Sequence, residues 1–374
     1  MATNQTKKKK KGSAAAARKA KRKQKRIALF IFEILVLAVL VVVLYTVLKA
    51  DDIQKIKVDE DNINKVFNEK VEENESLKGY RNIALFGVDS REGDLGKGTR
   101  SDSIIIASIN EDTGDIKLCS VYRDTYMNLS NDSYNKCNSA YAKGGPEQAI
   151  IMLNMNLDLN ITDYVTIGFD GLTDVIDALG GVYVDVTEAE IVHLNNYQIS
   201  MVGKTSDGQT FTATEGKDYT AVTTPGYQKL NGLQATAYCR IRYIGDDFAR
   251  AERQRTVLAA VMDEAKKASV SDLNKILDKV LPHVATSLDV DEMVGMLSNV
   301  TKYNIAGSDG FPFESHRATG KVGGKGSCVI PNNLEQNVVK LHQFLFNDNA
   351  YSVSPQVQSY SDKIALDTGY SGVN

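Results

Sequence analysis

The sequence is 374 residues long, 43% hydrophobic and 24% charged, with a formal net charge of −3; that is room for one large domain or two ordinary ones. Its charge is sorted along the chain. Residues 1–26 carry 12 of the 44 Lys/Arg and no acid, whereas residues 49–374 hold the other 32 against 46 of the 47 Asp/Glu, a balance that argues against a nucleic-acid binder and for a sorted topology.

Residues 1–26 are low-complexity and basic and are predicted to be a disordered tail. Ile27–Leu48 follows, 22 residues with one charge, Glu33; at about 1.5 Å per residue it spans the roughly 30 Å hydrocarbon core of a bilayer. The flanking runs Lys7–Lys11 and Arg18–Arg26 keep the N-terminus cytoplasmic by the positive-inside rule and send Lys49 onward outside. The expectation is a single-pass protein of the cell membrane with an extracytoplasmic body, in contact with membrane lipid and not with nucleic acid. A cleaved signal peptide is the competing reading; the apolar run is too long for one, and no small-x-small site follows it. Glu33 is either neutral or faces a partner helix. Residues 49–78 are highly charged and read as a helical stalk.

The period then changes. Arg81–Val88, Ser103–Ile109 and Ile116–Tyr122 are apolar runs of strand length. Asn110–Asp115 is rich in turn formers and joins the second and third as a hairpin; a polar, Gly-rich loop joins the first and second. Pro146 opens a helix to about Leu157, a good N1 position after Gly144 and Gly145. Tyr164–Gly168 reads as a strand, Phe169–Leu179 as a helix, Gly181–Val186 as a strand, and Asn195–Pro225 as a polar insertion or flap. Thr236–Tyr243 is predicted as a strand and Phe248–Lys267 as a long helix, with helices near Ser271–Leu281 and Asp291–Thr301. From Asp309 the chain is Gly-rich, with a helix at Asn333–Phe346 and a loose tail. Strands alternating with helices predict a layered α/β domain with a mixed sheet.

An up–down–up path through the first three strands places Asp89, Arg91, Arg100, Asp102 and Arg123 at one end of the sheet. Two carboxylates among three arginines suit a metal bound to an anion. Arg240 and Arg242, two apart on the predicted strand, would point to one face. Asp247 is the predicted N-cap of the next helix, in which Arg250, Arg253 and Gln254 share a face. The macrodipole disfavours cations there, so guanidinium forks at that end make sense if they serve something anionic such as phosphate. The bland alternative is solvated or acid-paired arginines. Cys119, Cys137, Cys239 and Cys328 lack CxxC spacing, with Cys119 and Cys239 read as buried free thiols; the four histidines are scattered. No GxSxG elbow and no Walker sequence is present.

At these residues the chain resembles the LytR–CpsA–Psr family of cell-wall glycopolymer ligases. The matching segments are NIALFGVDSR (82–91), RSDS (100–103), SVYRDTY (120–126), SAYAKGG (139–145), GFDGLTDVIDALGGVYVDV (168–186) and LNGLQATAYCRIRYIGDDFARAERQ (230–254), in order over roughly residues 80–265. The resemblance implies a three-layer α/β/α domain with a mixed central sheet over residues 79–305, a C-terminal extension over 306–374, and an apolar groove for a polyprenyl chain, which the helices at 146–157 and 169–179 would line. It also implies transfer of a glycopolymer phosphate, teichoic-acid-like or capsular, from a polyprenyl-pyrophosphate carrier to a peptidoglycan hydroxyl, assisted by Mg²⁺ (or Mn²⁺). By position, Asp89 and Asp102 would hold the metal; Arg91, Arg100, Arg123, Arg240, Arg242, Arg250, Arg253 and Gln254 would contact phosphate or organise the site. Asp247, Arg123 and Arg242 are the candidate catalytic residues. The sequence departs from the family at Tyr122, where Pro is usual before the Arg-Asp pair, and at Arg255, where a second glutamine often stands. A non-catalytic polyanion-binding or envelope-regulatory protein is the alternative.

Overall fold

The computed structural model describes Ile56 and residues 58–371 apart from 90–93, 131 and 204–209. The predicted tail and membrane span lie outside the described residues, as does Arg91. All described residues belong to one compact unit, Ile53–Asn374.

The stretch before the first strand is not a continuous helical stalk. Asp59, Asn68 and Asn74 each turn a side-chain oxygen back onto a backbone N–H and start a new short element: α1 (Glu60–Asn64), α2 (Glu69–Glu72) and a 3₁₀ turn. Ile63, Val71 and Leu77 of these pieces are buried in the main core.

The meander forms as expected from its apolar runs, as β1 (Tyr80–Val88), β2 (Ser101–Asn110) and β3 (Asp115–Val121), antiparallel in register Leu85↔Ile105 and Ile106↔Cys119. A small ribbon, β4 (Tyr126–Asn128) with β5 (Tyr134–Lys136), leads into α3 (Asn138–Leu157). Helix α3 starts eight residues before Pro146 and is broken at Gly144 and Gly145, the latter at φ 68°, so the predicted helix is its second half. It crosses over to β6 (Asp163–Gly168), parallel to β1.

Next come α4 (Phe169–Ala178), β7 (Val182–Val186), α5 (Glu188–Val202), β8 (Gly226–Leu230), α6 (Gly232–Arg240) and α7 (Asp247–Ala265). Two sequence readings fail here. Residues 195–202, assigned to a flap, belong to α5, whose capping box Thr187/Glu190 marks its start. The predicted strand at 236–243 is instead helix α6, begun by the reciprocal box of Asn231 and Gln234 (2.8 and 2.9 Å). Ala235 to Cys239 are all buried, and a wholly buried run carries no period to separate helix from strand.

The chain closes with α8 (Val270–Val280), β9 (Val284–Thr286), α9 (Val290–Ser298), β10 (Asn304–Phe311), the pair β11 (Arg317–Lys321) and β12 (Ser327–Pro331), α10 (Leu334–Phe346) and α11 (Pro355–Thr368). The last of these replaces the loose tail. Residue 305, where the catalytic domain was expected to end, lies inside β10, which pairs with β3 in the central sheet.

That sheet is mixed, in the order β10-β3-β2-β1-β6-β9, with β1/β6 and β3/β10 parallel. Alternation sorts its side chains between two apolar layers. Phe86, Ile106 and Val121 face α3, α10 and α11; Ile83, Ile105 and Leu118 face Leu258 and Met262 of α7 and Met296 of α9. A further cluster joins α4, α5, α6 and the β7/β8 ribbon to α7. The second half of α3 (Ile150, Leu153, Leu157) is ordinary core on the first face, not a groove lining.

Candidate active site: arginines around two sheet-end carboxylates

The end of the meander is where the chemistry collects. Asp89 follows β1, Asp102 is the second residue of β2, and Arg123 lies two residues beyond β3, as the up–down–up path requires. Arg123 Nη1 donates to Asp102 Oδ1 at 2.6 Å and its Nε to Asp247 Oδ2 at 3.4 Å. Burial alone would lower the Arg123 pKa; the facing Asp102 and Asp247 outweigh it and hold it above the usual value.

Asp247 is the meeting point of three arginines: besides Arg123, Arg242 Nε lies 3.8 Å and Arg250 Nη2 3.6 Å from its Oδ1. It is not the helix cap. Asp246, at φ 28°, caps α7 by accepting from the N–H groups of Phe248 and Ala249, which leaves Asp247 to the arginines. Arg240 and Arg242 do not share a strand face; Arg240 ends α6 and Arg242 lies in the following loop. They still reach one pocket, because the helix end delivers Arg240 over the Phe169 ring (4.3 Å) with its Nη2 3.9 Å from Asp89.

The pocket, about 100 Å³, is lined by Asp89, Asp102, Arg240, Arg242, Arg250 and Gln254, with Phe169, Tyr197 and Cys239 completing its wall. Phe169, Tyr197 and Cys239 escaped the sequence reading as site residues; the Gly168-Phe169-Asp170 turn into α4 was the available signal for the first. Burial pushes the Cys239 thiol up to about 12, so it is a neutral wall group. Arg250 is 5% exposed. Its Nη2 donates to the Asp102 carbonyl at 2.9 Å, while its buried Nε has no partner. Burial, then the nearby Arg123, lowers its pKa. Arg250 lines the pocket beside Arg240 and Arg242, a grouping of guanidinium forks that suits an incoming anion.

Four expected members lie outside the pocket lining: Arg123 and Asp247, which contact residues that line it, and Arg253 and Arg100. Arg253 is buried against Glu190 (Nε to Oε1, 2.7 Å) and donates to the carbonyls of Ile241 and Ile244. It fastens the loop carrying Arg242 and does not line the pocket. Arg100 is exposed and outside the pocket lining.

Among the described residues no group of three or more His, Cys, Asp or Glu is placed to cage a metal. The pocket offers two carboxylates, Asp89 and Asp102, which fits a hard cation that takes one or two carboxylates and completes its shell with substrate phosphate and water. All four cysteines are buried and free.

Tyr122 explains one departure from the family pattern. Its N–H donates to the Phe311 carbonyl at 3.0 Å, a bond that proline lacks. Its ring stacks edge-on against Phe248 (4.5 Å), the residue after Asp247. Arg317 of β11 lies over Phe248 (3.7 Å) and bonds the Tyr122 hydroxyl (3.0 Å).

Comparison with known proteins adds three findings. A polyisoprenyl-teichoic acid–peptidoglycan teichoic acid transferase TagU of Oceanobacillus iheyensis is 34% identical over 227 residues, 58% of this chain and 62% of that protein; this chain thus spans about six tenths of its length. The crystal structure of B. subtilis TagV superposes with TM-score 0.54 at 27% identity, covering 72% of this chain and 98% of that one. A LytR-CPS2A-psr family protein, YwtF (TagT) with bound octaprenyl pyrophosphate lipid, shares the fold with TM-score 0.50 at 20% identity, over 79% and 93% of the two chains. Residues 40–330 match the LytR_cpsA_psr family model, and the chain belongs to that family.

Proposed function

We propose that this chain is a membrane-anchored phosphotransferase that moves a glycopolymer, of the teichoic-acid or capsular kind, from a polyprenyl-pyrophosphate carrier to peptidoglycan. The observation that carries this reading is the convergence of Arg240, Arg242 and the incompletely bonded Arg250 on the space beside Asp89 and Asp102. In its support stand the transferase name of the TagU relative and the octaprenyl pyrophosphate held by a protein of the same fold.

In the proposed reaction an acceptor hydroxyl oxygen attacks the phosphorus bearing the glycopolymer. The bond from that phosphorus to the bridging oxygen breaks, and polyprenyl phosphate leaves. Arg240, Arg242 and Arg250 bind the diphosphate oxygens and offset the charge that spreads over them in the transition state, with Gln254 beside them. Arg123 holds Asp102 and Asp247 in mutual register. Asp247 gathers the arginines and is the candidate acceptor of the hydroxyl proton. Arg100, exposed just before β2, is proposed to meet the substrate outside the pocket. Mg²⁺ or Mn²⁺, held by Asp89 and Asp102, would add charge neutralisation at the phosphate oxygens.

Leu258 and Met262 of α7 and Met296 of α9, half-buried against the sheet, are the apolar side chains proposed to meet the polyprenyl chain. The charge asymmetry of the sequence supports an anchor at Ile27–Leu48, N-terminus cytoplasmic, which confines the protein to the membrane of its substrate. The test uses full-length protein in detergent with a polyprenyl-pyrophosphate-linked saccharide. Asp89→Ala and Arg242→Ala are each expected to lower polyprenyl phosphate release at least a hundredfold, the scale of losing one preorganised charge-stabilising group, with unchanged thermal melting. Full release in both variants rejects the reading.

A further inference from the structure

Beside the arginine pocket, and sharing Tyr197 with it, lies a more open cleft of about 480 Å³ lined by His193, Asn196, Tyr197, Ser200 and Tyr243. That is within the range of about 300–1,000 Å³ usual for small-molecule sites. Four of the five residues come from α5 at spacings i, i+3, i+4 and i+7, so they form one helix face. The fifth follows Arg242 directly, on the loop that Arg253 fastens.

The cleft differs in kind from the pocket. Its lining has no arginine, lysine or carboxylate; it offers aromatic faces edged by an amide, an imidazole and a hydroxyl. Tyr243 is 80% exposed, yet its ring lies nearly flat on His193 (centroids 5.6 Å, interplanar 22°) and tilted toward Tyr197 (6.5 Å). Among the described residues neither the Asn196 side chain nor the His193 ring makes a hydrogen bond, so their polar atoms are open to a ligand. The Ser200 hydroxyl donates to the Tyr197 carbonyl (2.9 Å) and keeps only acceptor capacity; stacked aromatic faces edged by the unbonded Asn196 amide and His193 imidazole match a pyranose ring, whose axial C–H groups pack on the π-face and whose hydroxyls bond to the rim. Arg240, 5.9 Å from the Tyr197 ring centre, marks where the neutral cleft gives way to the anion pocket.

We infer that this cleft binds a neutral pyranose of the acceptor glycan, seating the strand whose hydroxyl passes Tyr197 into the arginine pocket. The assignment to the acceptor rests on the proposed transfer reaction. Two features favour the acceptor over the phosphate-linked sugar: the cleft is larger and more open than the arginine pocket, and its lining holds no cation for a phosphate.

The test titrates full-length protein in detergent with three probes: a soluble β-1,4-linked oligosaccharide of N-acetylhexosamines, UDP-linked N-acetylglucosamine, and geranyl pyrophosphate. Tyr243→Ala and His193→Ala are each expected to weaken oligosaccharide binding about tenfold, the scale of one aromatic contact. Both should leave geranyl pyrophosphate binding within twofold, and Arg240→Gln should do the reverse. Unchanged oligosaccharide binding in Tyr243→Ala, or none in the wild type, overturns the inference. Loss confined to the UDP-linked sugar overturns the acceptor assignment. A wild type that binds oligosaccharide through Tyr243 but not geranyl pyrophosphate upholds the saccharide cleft and rejects the transfer reaction instead.

Discussion

Arg250 and Arg253 are both buried on α7 three residues apart, yet they meet opposite surroundings. Arg253 is fully engaged by Glu190 and two carbonyls, whereas Arg250 keeps a bare Nε. Removing one partner of a buried pair leaves an uncompensated charge, so Glu190→Ala is expected to cost about 3–5 kcal/mol in denaturant unfolding. Arg250→Met gives up the bond to the Asp102 carbonyl and the contact with Asp247 while also removing an unsatisfied Nε, so it should cost less, but it should abolish diphosphate binding. Burial would raise the Glu190 pKa, but the Arg253 and Thr187 bonds win and lower it. Stability from this carboxylate is therefore present above its ordinary pKa and lost as pH falls through the depressed one. His342 adds an earlier loss. It is buried with its ring stacked on Tyr351 and Nε2 3.0 Å from the Leu157 carbonyl, which makes it the neutral Nε2–H tautomer. Burial pushes its pKa from 6.5 down to about 4. The unfolded chain takes up this proton first, so stability is full above pH 6.5 and falls by roughly 3 kcal/mol by pH 4. His342→Gln should flatten that slope in unfolding measured across this range.

At the scale of elements, the sandwich of Tyr122, Phe248 and Arg317 joins β3, α7 and β11 directly behind Arg123 and Asp247. Gly310 of β10 permits it, since a Cβ there would collide with the Tyr122 hydroxyl. Arg317→Ala removes the cation over both rings and is expected to lower turnover about tenfold by loosening the start of α7. Tyr122→Phe keeps the stack, loses one hydrogen bond worth about 1 kcal/mol, and should retain most activity; steady-state kinetics beside a melting curve separates the two. The sheet-end triad Asp89, Asp102 and Arg123 was legible because three strand patterns and one hairpin turn fix which loop ends coincide. The placement of Arg253 was not, because its partner Glu190 lies on α5, part of which read as a flap. Arg240 and Arg242, expected on one strand face, reach one pocket by a different local route: the buried run at 235–239 has no period, and its helix is announced only by Asn231 and Gln234.

For the molecule as a whole, residues beyond 305 are part of the core. β10 extends the central sheet, and Val357, Tyr360 and Ile364 of α11 are buried in the same cluster as Phe86 and Ile106. Burying each such side chain is worth about 1.5–3 kcal/mol, so a chain ending at Ser352 forfeits an amount comparable with the 5–15 kcal/mol net stability of a typical domain. It should be insoluble or rapidly cut by protease, which expression and limited proteolysis would reveal. A loose tail would have been dispensable, but its apolar residues fall at i, i+3 and i+7, the spacing of a docked helix. The layers set one sheet end, with its arginines and two carboxylates, beside a neutral aromatic cleft, the two surfaces that the proposed transfer reaction would use for its diphosphate and glycan parts. The most direct measurement follows that reaction itself: full-length protein, polyprenyl-pyrophosphate-linked saccharide, peptidoglycan fragments and Mg²⁺, with mass spectrometry of the products. The account predicts a saccharide phosphate joined to the acceptor and an equal amount of polyprenyl phosphate; binding of the lipid substrate with neither product formed would contradict it.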